Sequence, residues 1–264
     1  MKNLCHRFVA IAAVVALQIG AAGAEVVSLA PLRDTTIFAD SDDTASSAGQ
    51  AAFAGTTASG LPRRALFVFD FADVPAGSRV VSASFSISVD RAAGGEHAMT
   101  LHRLLDDWGT GGSNASTNGG GVPALPGDAT WSHRFFGDDT RQWRDGDGVL
   151  APGGWFAATP SATTTVGDPA RYIWSSVAGS AGPSLVNDVQ GWLDAPETNF
   201  GWILVGDEAV SRSAKRFGSS EISSASLRPT LQLEIVPIPE PTTYAMMFAG
   251  LALLSIARQR SKRG

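Results

Sequence analysis

Cysteine is almost absent from this chain of 264 residues, and histidine is scarce. The one cysteine, Cys5, lies in an N-terminal segment that we expect to be removed, so the mature protein has no thiol and no disulfide. A zinc site needs three or four ligands at suitable spacing, which His97, His102 and His133 do not offer. The fold must therefore rest on its hydrophobic core alone.

Runs of basic residues are also lacking between residues 25 and 236. The chain has 20 Lys and Arg against 25 Asp and Glu. Six of the cations and one acid lie outside this segment, which leaves 14 cations and 24 acids, a charge of about −10. Phosphate contacts need clustered Lys and Arg, so we expect no nucleic-acid partner. The acidic surplus suits an extracellular protein and can recruit divalent cations.

Recognisable catalytic motifs are missing as well. There is no G-x-S-x-G sequence, so a Ser-His-Asp triad is not indicated. A glycosidase needs two facing carboxylates. The sequence cannot place any two of its candidate acids together; these are Asp106, Asp107, Glu197, Glu208 and Glu221. We therefore predict a protein that is not an enzyme, with a polysaccharide-active enzyme as one alternative.

The N-terminus has the three parts of a secretory signal peptide. Lys2 and Arg7 are positively charged, residues 8–19 are apolar apart from Gln18, and the segment 22–24 (Ala-Gly-Ala) is a small-residue cleavage site. We predict a signal peptide over residues 1–24, which signal peptidase removes after Ala24. The protein is then exported.

The C-terminus carries a second targeting pattern. Pro239, Glu240 and Pro241 form a stiff, non-helical tripeptide. The apolar residues that follow predict a short transmembrane helix at about 243–257. The chain then closes with cations only: Arg258, Arg260, Lys262 and Arg263. These should stay cytoplasmic, and they disfavour the alternative of a buried helix in the globular domain.

Residues 237–264 resemble the PEP-CTERM sorting signal of Gram-negative bacteria that make exopolysaccharide. The resemblance implies that an exosortase cuts near the Pro239-Glu240-Pro241 motif, so the helix would anchor the protein in the inner membrane only transiently. The expected destination is the cell surface, the outer membrane or the extracellular matrix.

The segment between the two signals is rich in strand patterns. Residues 81–89 alternate strictly between apolar side chains and serine, which is typical of a half-buried antiparallel strand. Residues 65–71 are more uniformly apolar and should lie deeper. The segments 99–105, 202–205 and 231–235 are further strand candidates. The turn between the first two strands lies at 73–77, where proline and glycine interrupt the pattern.

One stretch of this segment has helical spacing. Leu185, Val189, Trp192 and Leu193 follow each other at i, i+4, i+7 and i+8, after Pro183-Ser184, which can start a helix. Long Gly/Ser-rich loops are expected at 109–127 and 159–168. The pattern predicts an all-β protein, a jelly-roll-like β-sandwich with long loops and one short helix.

An ordered set of short motifs carries a second resemblance. It comprises Asp34-Thr-Thr-Ile-Phe38, Arg64-Ala-Leu-Phe-Val-Phe-Asp70, Val74-Pro-Ala-Gly-Ser-Arg-Val-Val-Ser-Ala83, Ala129-Thr-Trp131, Trp143 with Gly153-Gly154, Val189-Gln-Gly-Trp-Leu193, Asn199-Phe-Gly-Trp202, Phe217-Gly-Ser-Ser-Glu221 and Arg228-Pro-Thr-Leu231. Over residues 25–236 this resembles the DNRLRE domain of secreted bacterial proteins, although those five letters do not occur as a string. The resemblance implies a jelly-roll sandwich and, in some members, carbohydrate binding; it does not imply catalysis.

Two kinds of ligand site are indicated by composition. Asp40, Asp42 and Asp43 cluster three carboxylates, which predicts a possible structural calcium site, with a solvated acidic turn as the alternative. Indole rings stack on the flat C–H faces of sugars. Four tryptophans lie beside polar or glycine-rich loops and are predicted to bind polysaccharide: Trp108, Trp143, Trp155 and Trp174.

The combined prediction is a secreted, non-catalytic β-sandwich that binds glycan at the cell surface or in the exopolysaccharide matrix. The alternatives are a structural or adhesive matrix protein without a ligand site and a polysaccharide-active enzyme. An aromatic groove would favour the first, a featureless acidic surface the second, and two facing carboxylates in a cleft the third.

Overall fold

The computed structural model describes residues 23–237 and, near the C-terminus, six residues: Phe248, Gly250, Leu251, Ala252, Leu254 and Arg258. Nearly all of the predicted signal peptide, the Pro239-Glu240-Pro241 tripeptide and most of the predicted membrane helix at 243–257 lie outside the described residues. Ala24 is exposed and directly precedes the first strand. Within the described part of the chain, no helix combines the length and the apolar character needed to cross a bilayer.

Strands account for most of the regular structure between residues 23 and 237. They are β1 (Glu25–Leu29), β2 (Pro31–Phe38), β3 (Thr44–Ala45), β4 (Ala51–Thr56), β5 (Pro62–Phe69), β6 (Arg79–Ala92), β7 (His97–Arg103), β8 (Val122–Pro123), β9 (Ala162–Val166), β10 (Arg171–Val177), β11 (Trp202–Val205), β12 (Lys215–Gly218) and β13 (Thr230–Val236). The helix α1 spans Leu185–Asp194, and short 3-10 turns lie at Pro196–Thr198 and Ala225–Leu227.

The strands form two antiparallel layers. The first layer has the order β1-β13-β6-β10, and the second has the order β2-β5-β11-β7-β9. β12 pairs with β6 and with β4, and β4 also pairs with the start of β5, so these two strands join the layers. The all-β prediction is confirmed, whereas the jelly-roll topology stays a prediction.

The alternating strand β6 lies at the centre of the first layer. Ala83, Phe85 and Ile87 are buried, and the serines between them face outward, as the period of two predicts. The pattern breaks at one point, because the pairing with β13 shifts between Glu234 and Ile235. Val80 therefore faces the core, and Val81, which the alternation assigned to the buried face, is only partly buried.

The main core lies between the two layers. Phe85 of β6 packs against Phe67 and Phe69 of β5, with ring centroids 5.2 and 6.0 Å apart. Trp202 of β11 and Trp192 of α1 complete this aromatic cluster, with their ring centroids 4.6 Å apart. Ser184 caps the N-terminus of the helix, because its hydroxyl accepts a hydrogen bond from the Asn187 backbone N–H. The predicted short helix packed on a sheet is thus confirmed.

An irregular third layer covers the outer face of the second sheet. Trp108, Ala129 and Trp143 from the segment 104–161 pack on Leu66 and Ile203 of that sheet. Long-range backbone hydrogen bonds hold the segment together, as between the N–H of residue 109 and the C=O of residue 134, at 3.0 Å. The loop predicted at 109–127 has no regular structure apart from β8, whereas the loop predicted at 159–168 contains β9. The packed residues on either side of 109–127 explain why β5 is buried on both faces.

Arg64 of β5 fastens this layer to the sheet. Its guanidinium makes two hydrogen bonds to the Glu208 carboxylate, at 2.6 and 2.8 Å, and a third to the Gly153 carbonyl at 2.6 Å. The same group lies 4.8 Å from the centroid of the Trp131 ring. The Glu208 carboxylate is therefore held in an ion pair with Arg64 and is not available as a catalytic group.

Candidate functional site: a groove at one end of the sandwich

The candidate site lies where four strands of the second sheet meet at one end. Because the pairing is antiparallel, the starts of β2 and β11 lie beside the ends of β5 and β7. The chain leaves β5 at Phe69 through the turn 70–78 and enters β11 after the segment 195–201. Loops at the end of a rigid scaffold are the usual place for a binding site.

The turn after β5 forms one wall of this groove. The Asp70 carboxylate accepts a hydrogen bond from the Ala72 backbone N–H at 3.0 Å, which closes a local turn. The N–H of Val74 donates to the Phe71 carbonyl at 2.9 Å, and Gly77 has a φ of 72°, a conformation that favours glycine. The turn predicted at 73–77 is thus a compact structure with a fixed shape.

The end of α1 and the 3-10 turn after it form the opposite wall. Asn199 donates from its side-chain amide to the Phe69 carbonyl at 2.8 Å, which fastens this wall to β5. Gln190 of α1 accepts from the Val80 backbone N–H at 2.9 Å. Both walls are therefore tied to the same strands, and the groove between them is preformed.

Between the walls lies a cavity of about 420 Å³. Its apolar lining includes Phe71, Val74, Trp192, Leu193 and Pro196. The rings of Phe71 and Trp192 lie 6.0 Å apart at an angle of 32°. The volume falls in the range of pockets that hold small organic ligands, about 300–1,000 Å³, and the mixture of aromatic and polar lining is typical of them.

Two residues lining this cavity carry polar atoms without a partner. The indole Nε1 of Trp192 and the side-chain oxygen of Asn199 are buried, and neither has a hydrogen-bond partner among the described residues. Leaving a buried polar group unpaired costs about 1–3 kcal/mol. Both atoms are closed off from solvent, so a ligand in the cavity would reach them only if the wall moved.

A second cavity of about 290 Å³ adjoins the first, since Asp70, Pro196 and Asn199 line both. Its lining adds Arg33 from β2 and Glu197. We call the two cavities together the end groove.

Arg33 gives the second cavity its cationic group. It donates to the Asp107 carboxylate at 2.7 Å, and its guanidinium lies 4.7 Å from the centroid of the Trp108 ring. Its Nε is buried and has no partner among the described residues. The acids lining the end groove are Asp70, Asp107 and Glu197, so its charge is negative despite Arg33.

The tryptophans predicted to bind glycan do not lie in this groove as exposed platforms. Trp108, Trp143 and Trp174 are fully buried, and the expectation that they are exposed is wrong. Each indole N–H donates to a backbone carbonyl at 2.9 Å, in Phe200, Thr130 and Met99 respectively. The first two face the second sheet from the irregular layer, and Trp174 faces the main core from β10.

Trp155, the fourth predicted tryptophan, is partly exposed. It packs against the irregular layer's hydrophobic cluster, and its carbonyl accepts a hydrogen bond from the Leu105 N–H at 3.2 Å. Trp155 does not line the end groove.

The predicted calcium ligands Asp40, Asp42 and Asp43 do not come together. The Asp40 carboxylate is 2.6 Å from the Arg63 guanidinium, and Asp43 accepts a short hydrogen bond from the Ser41 hydroxyl. Across the described residues, no three His, Cys, Asp or Glu side chains form a group that could hold a metal ion. This arrangement of the three aspartates therefore agrees better with the alternative, a solvated acidic turn, than with a calcium site.

The histidines have structural partners. His102 is buried, and its ring nitrogens contact the Ala157 carbonyl and the Thr100 hydroxyl, both at 2.8 Å. Burial lowers the pKa of His102. His97 contacts the Asp207 carboxylate at 3.1 Å and the Gly94 carbonyl at 2.7 Å.

His133 lies 2.9 Å from the Ser132 hydroxyl through Nδ1, and Asp139 lies 3.2 Å from its Nε2. The Asp139 carboxylate can only accept, so it favours a proton on Nε2, whereas the Gln142 amide nitrogen, also 3.2 Å from Nε2, can only donate and favours a proton on Nδ1.

The end groove was missed by sequence reasoning. Its residues come from segments more than a hundred positions apart, and the helical spacing of Trp192 indicates only a place in α1. The one local signal was the turn 73–77, which was read as a connection. The acids Asp107 and Glu197 were considered as candidates, but the sequence could not place them together.

Comparison with known proteins gives one match. Residues 237–262 match the PEP-CTERM protein-sorting motif. No curated protein matches the chain. The motif begins where β13 ends, so the sorting signal follows directly on the β-sandwich. The chain therefore carries a C-terminal PEP-CTERM sorting signal, which indicates an exported protein of a Gram-negative bacterium that an exosortase processes.

Proposed function

We propose that this protein is a non-catalytic glycan-binding protein of the cell surface or exopolysaccharide matrix, and that the end groove is its binding site. The observation that carries the proposal is a preformed cavity whose lining combines the aromatic residues Phe71 and Trp192 with the polar residues Asp70 and Asn199. Sugars present apolar C–H faces and a rim of hydroxyl groups, and a groove of this composition complements both. A resemblance to DNRLRE domains, some of which bind carbohydrate, supports the same proposal.

The acids at the groove support binding more than hydrolysis. Asp107 is paired with Arg33, and the Asp70 carboxylate closes its own turn, so both have structural partners. Glu197 lines the same cavity, but the two neighbouring carboxylates that could act with it are those of Asp70 and Asp107, which already have these partners. A glycosidase uses two carboxyl groups that face the same bond, and this arrangement does not single out such a pair.

A structural or adhesive role is the second candidate, because the outer face of the first sheet is open. The serines of β6 line its centre, while Val26, Ile173 and Val177 flank them with more than half of their surface exposed. Apolar side chains on an open sheet face favour contact with another surface. This role needs no ligand in the end groove.

Affinity electrophoresis in gels that contain the host's exopolysaccharide separates these functions. The mature protein should be retarded, and Ala72→Phe should abolish retardation because Ala72 is exposed and lines the cavity. Ala209→Phe is the matched control. Ala209 is also exposed, and its N–H also donates to an aspartate two residues earlier, but it follows β11 at the opposite end of the sandwich.

Circular dichroism should show that both variants fold. If the parent is not retarded by any matrix glycan, the structural role replaces the binding function. Release of reducing ends from the gel glycan would instead favour the enzyme.

A further inference from the structure

The strand β1 is an open edge of the first layer. All five of its residues pair with β13, in a register that runs from Glu25 opposite Ile235 to Leu29 opposite Leu231. Among the described residues, no strand, loop or side chain bonds to its other edge. The backbone N–H and C=O groups along that edge therefore have no partner in the domain, and such a row is a template for another strand.

The other edge of the same layer, β10, is covered by a neighbouring strand. The carbonyl of Ile173 in β10 accepts a hydrogen bond from the Thr164 hydroxyl of β9 at 2.7 Å. The turn between β9 and β10 is also fixed, because the Tyr172 hydroxyl donates to the Asp168 carbonyl at 2.8 Å. Of the two edges of this layer, β1 is thus the one that can accept a further strand.

β1 also lacks the features that keep many edge strands from pairing. Proline, lysine and β-bulges serve this purpose, and the strand, Glu-Val-Val-Ser-Leu, has none of them. Its one charged residue, Glu25, stands at its start. Val26 lies on the outer face with 61% of its surface exposed. The composition of β1 therefore favours pairing with another strand.

A second copy of β1 fits this edge along its whole length. Residues that lie opposite each other in a sheet must point to the same face. In an antiparallel pair centred on Val27, all five residues find a partner, and Val26 lies opposite Ser28 of the second copy on the outer face. Val27, which is only partly buried at the margin of the main core, then lies opposite itself on the inner face. We propose that the mature protein forms a homodimer by antiparallel pairing of two β1 strands.

This dimer is closed by its symmetry. A two-fold axis through the pair uses the free edge of both copies at once, so no further copy can add by the same contact. The two first layers, each with the order β1-β13-β6-β10, become one continuous sheet. An interface of one short strand from each copy is small, so we expect a Kd on the order of 10–100 μM. Crowding of many copies on a surface favours such a contact.

The pairing places the two end grooves at opposite ends of the dimer. Within one copy, Glu25 lies opposite Ile235, and the next residue, Val236, lies opposite Arg79, which directly follows the turn 70–78 of the groove. The start of β1 is therefore at the groove end, and an antiparallel partner points the other way. Resting on the proposed glycan-binding function, the dimer would bridge two polymer chains, but the pairing itself does not depend on that function.

Spin labels on single introduced cysteines test the pairing, because the mature chain has no cysteine of its own. Ser28 of β1 and Ser175 of β10 are matched positions. Both are exposed serines of the outer face, and they lie in one row across the layer, with Gln232 and Ser84 between them. Three strand spacings of about 4.8 Å separate the two positions within one copy.

Electron paramagnetic resonance should distinguish these positions at about 200 μM protein, above the expected Kd. The two Ser28→Cys positions of a dimer are diagonal neighbours about 7–8 Å apart, so dipolar coupling should broaden the spectrum of their labels. The two Ser175→Cys positions are separated by seven strand spacings, about 34 Å, which a pulsed dipolar measurement should report. Dilution should remove both signals, and circular dichroism checks that both variants fold.

Sedimentation of the unlabelled parent guards against a label that disturbs the edge. The parent should change from monomer to dimer as its concentration rises through the expected Kd. A parent that stays monomeric at about 200 μM would overturn the proposal. A short distance between Ser175→Cys labels would also overturn it, because it would mean pairing through β10 or stacking of outer faces. Either result leaves glycan binding by the end groove standing, since affinity electrophoresis tests that function separately.

Discussion

Asp34 should make the domain less stable as the pH rises from about 4 to about 6. This residue of β2 is only 3% exposed, and burial raises its pKa from 3.8 to about 6. A hydrogen bond from the Ser220 backbone N–H, at 2.7 Å, offsets part of this effect, while the nearby Glu221 adds to it. The folded protein therefore holds a proton that the unfolded chain releases at lower pH.

The sign and size of the effect follow from linkage. Between pH 3.8 and about 6 the folded state binds more protons than the unfolded state, so the free energy of unfolding falls as the pH rises. The contribution is full below about 3.8 and is lost as the pH passes about 6. The difference of about 2.2 between the two pKa values corresponds to about 3 kcal/mol, as an order of magnitude.

The assay compares urea unfolding of the parent and Asp34→Asn at several pH values between about 4 and 8. The difference between the two free energies of unfolding should shift by about 3 kcal/mol in favour of Asp34→Asn as the pH rises. Asp188, whose pKa burial also raises, is present in both proteins and cancels in the difference. A difference that stays constant across this range would refute the reasoning.

Three further predictions concern the core, calcium and the tail. Trp174→Ala should lower the free energy of unfolding by about 3–5 kcal/mol, because the ring is fully buried; a loss below about 1 kcal/mol would mean that the ring lies at the surface. Millimolar calcium should leave the melting temperature unchanged, since Asp40 is paired with Arg63; a rise that a chelator reverses would restore the calcium site. Intact-mass analysis of extracellular protein should show loss of the chain from about Tyr244 onward; a full-length released protein would contradict exosortase processing.

Local periodicity predicted the helix α1 and five of the thirteen strands between residues 23 and 237, namely β5, β6, β7, β11 and β13. The alternation in residues 81–89 identified β6, and the helical spacing from Leu185 to Leu193 identified α1. The β-bulge at Val81 could not be predicted, because it depends on the register that β13 adopts, more than a hundred residues away. The layer assignment of each strand is a long-range property of the same kind.

The tryptophans show why composition misplaced the site. Glycine-rich neighbours suggested exposure for Trp108 and Trp143, but these neighbours allow an irregular chain to pack closely on the second sheet. That layer is held by long-range backbone hydrogen bonds and has no period that a sequence pattern could reveal. Trp192, which the helical spacing placed in α1, lies in the main core and also lines the end groove.

Hydrogen exchange measured with and without a bound glycan tests the central claim most directly, because it reports where the ligand lies. Exchange of backbone amides slows where a ligand closes off local opening. If a glycan occupies the end groove, we expect slower amide exchange in two segments, the turn 70–78 and the wall 191–201. Amide exchange in the segment 206–214, at the opposite end of the sandwich, should stay unchanged. Slower exchange around Trp155 instead, or no change with any glycan that retards the protein, would contradict the end groove as the binding site.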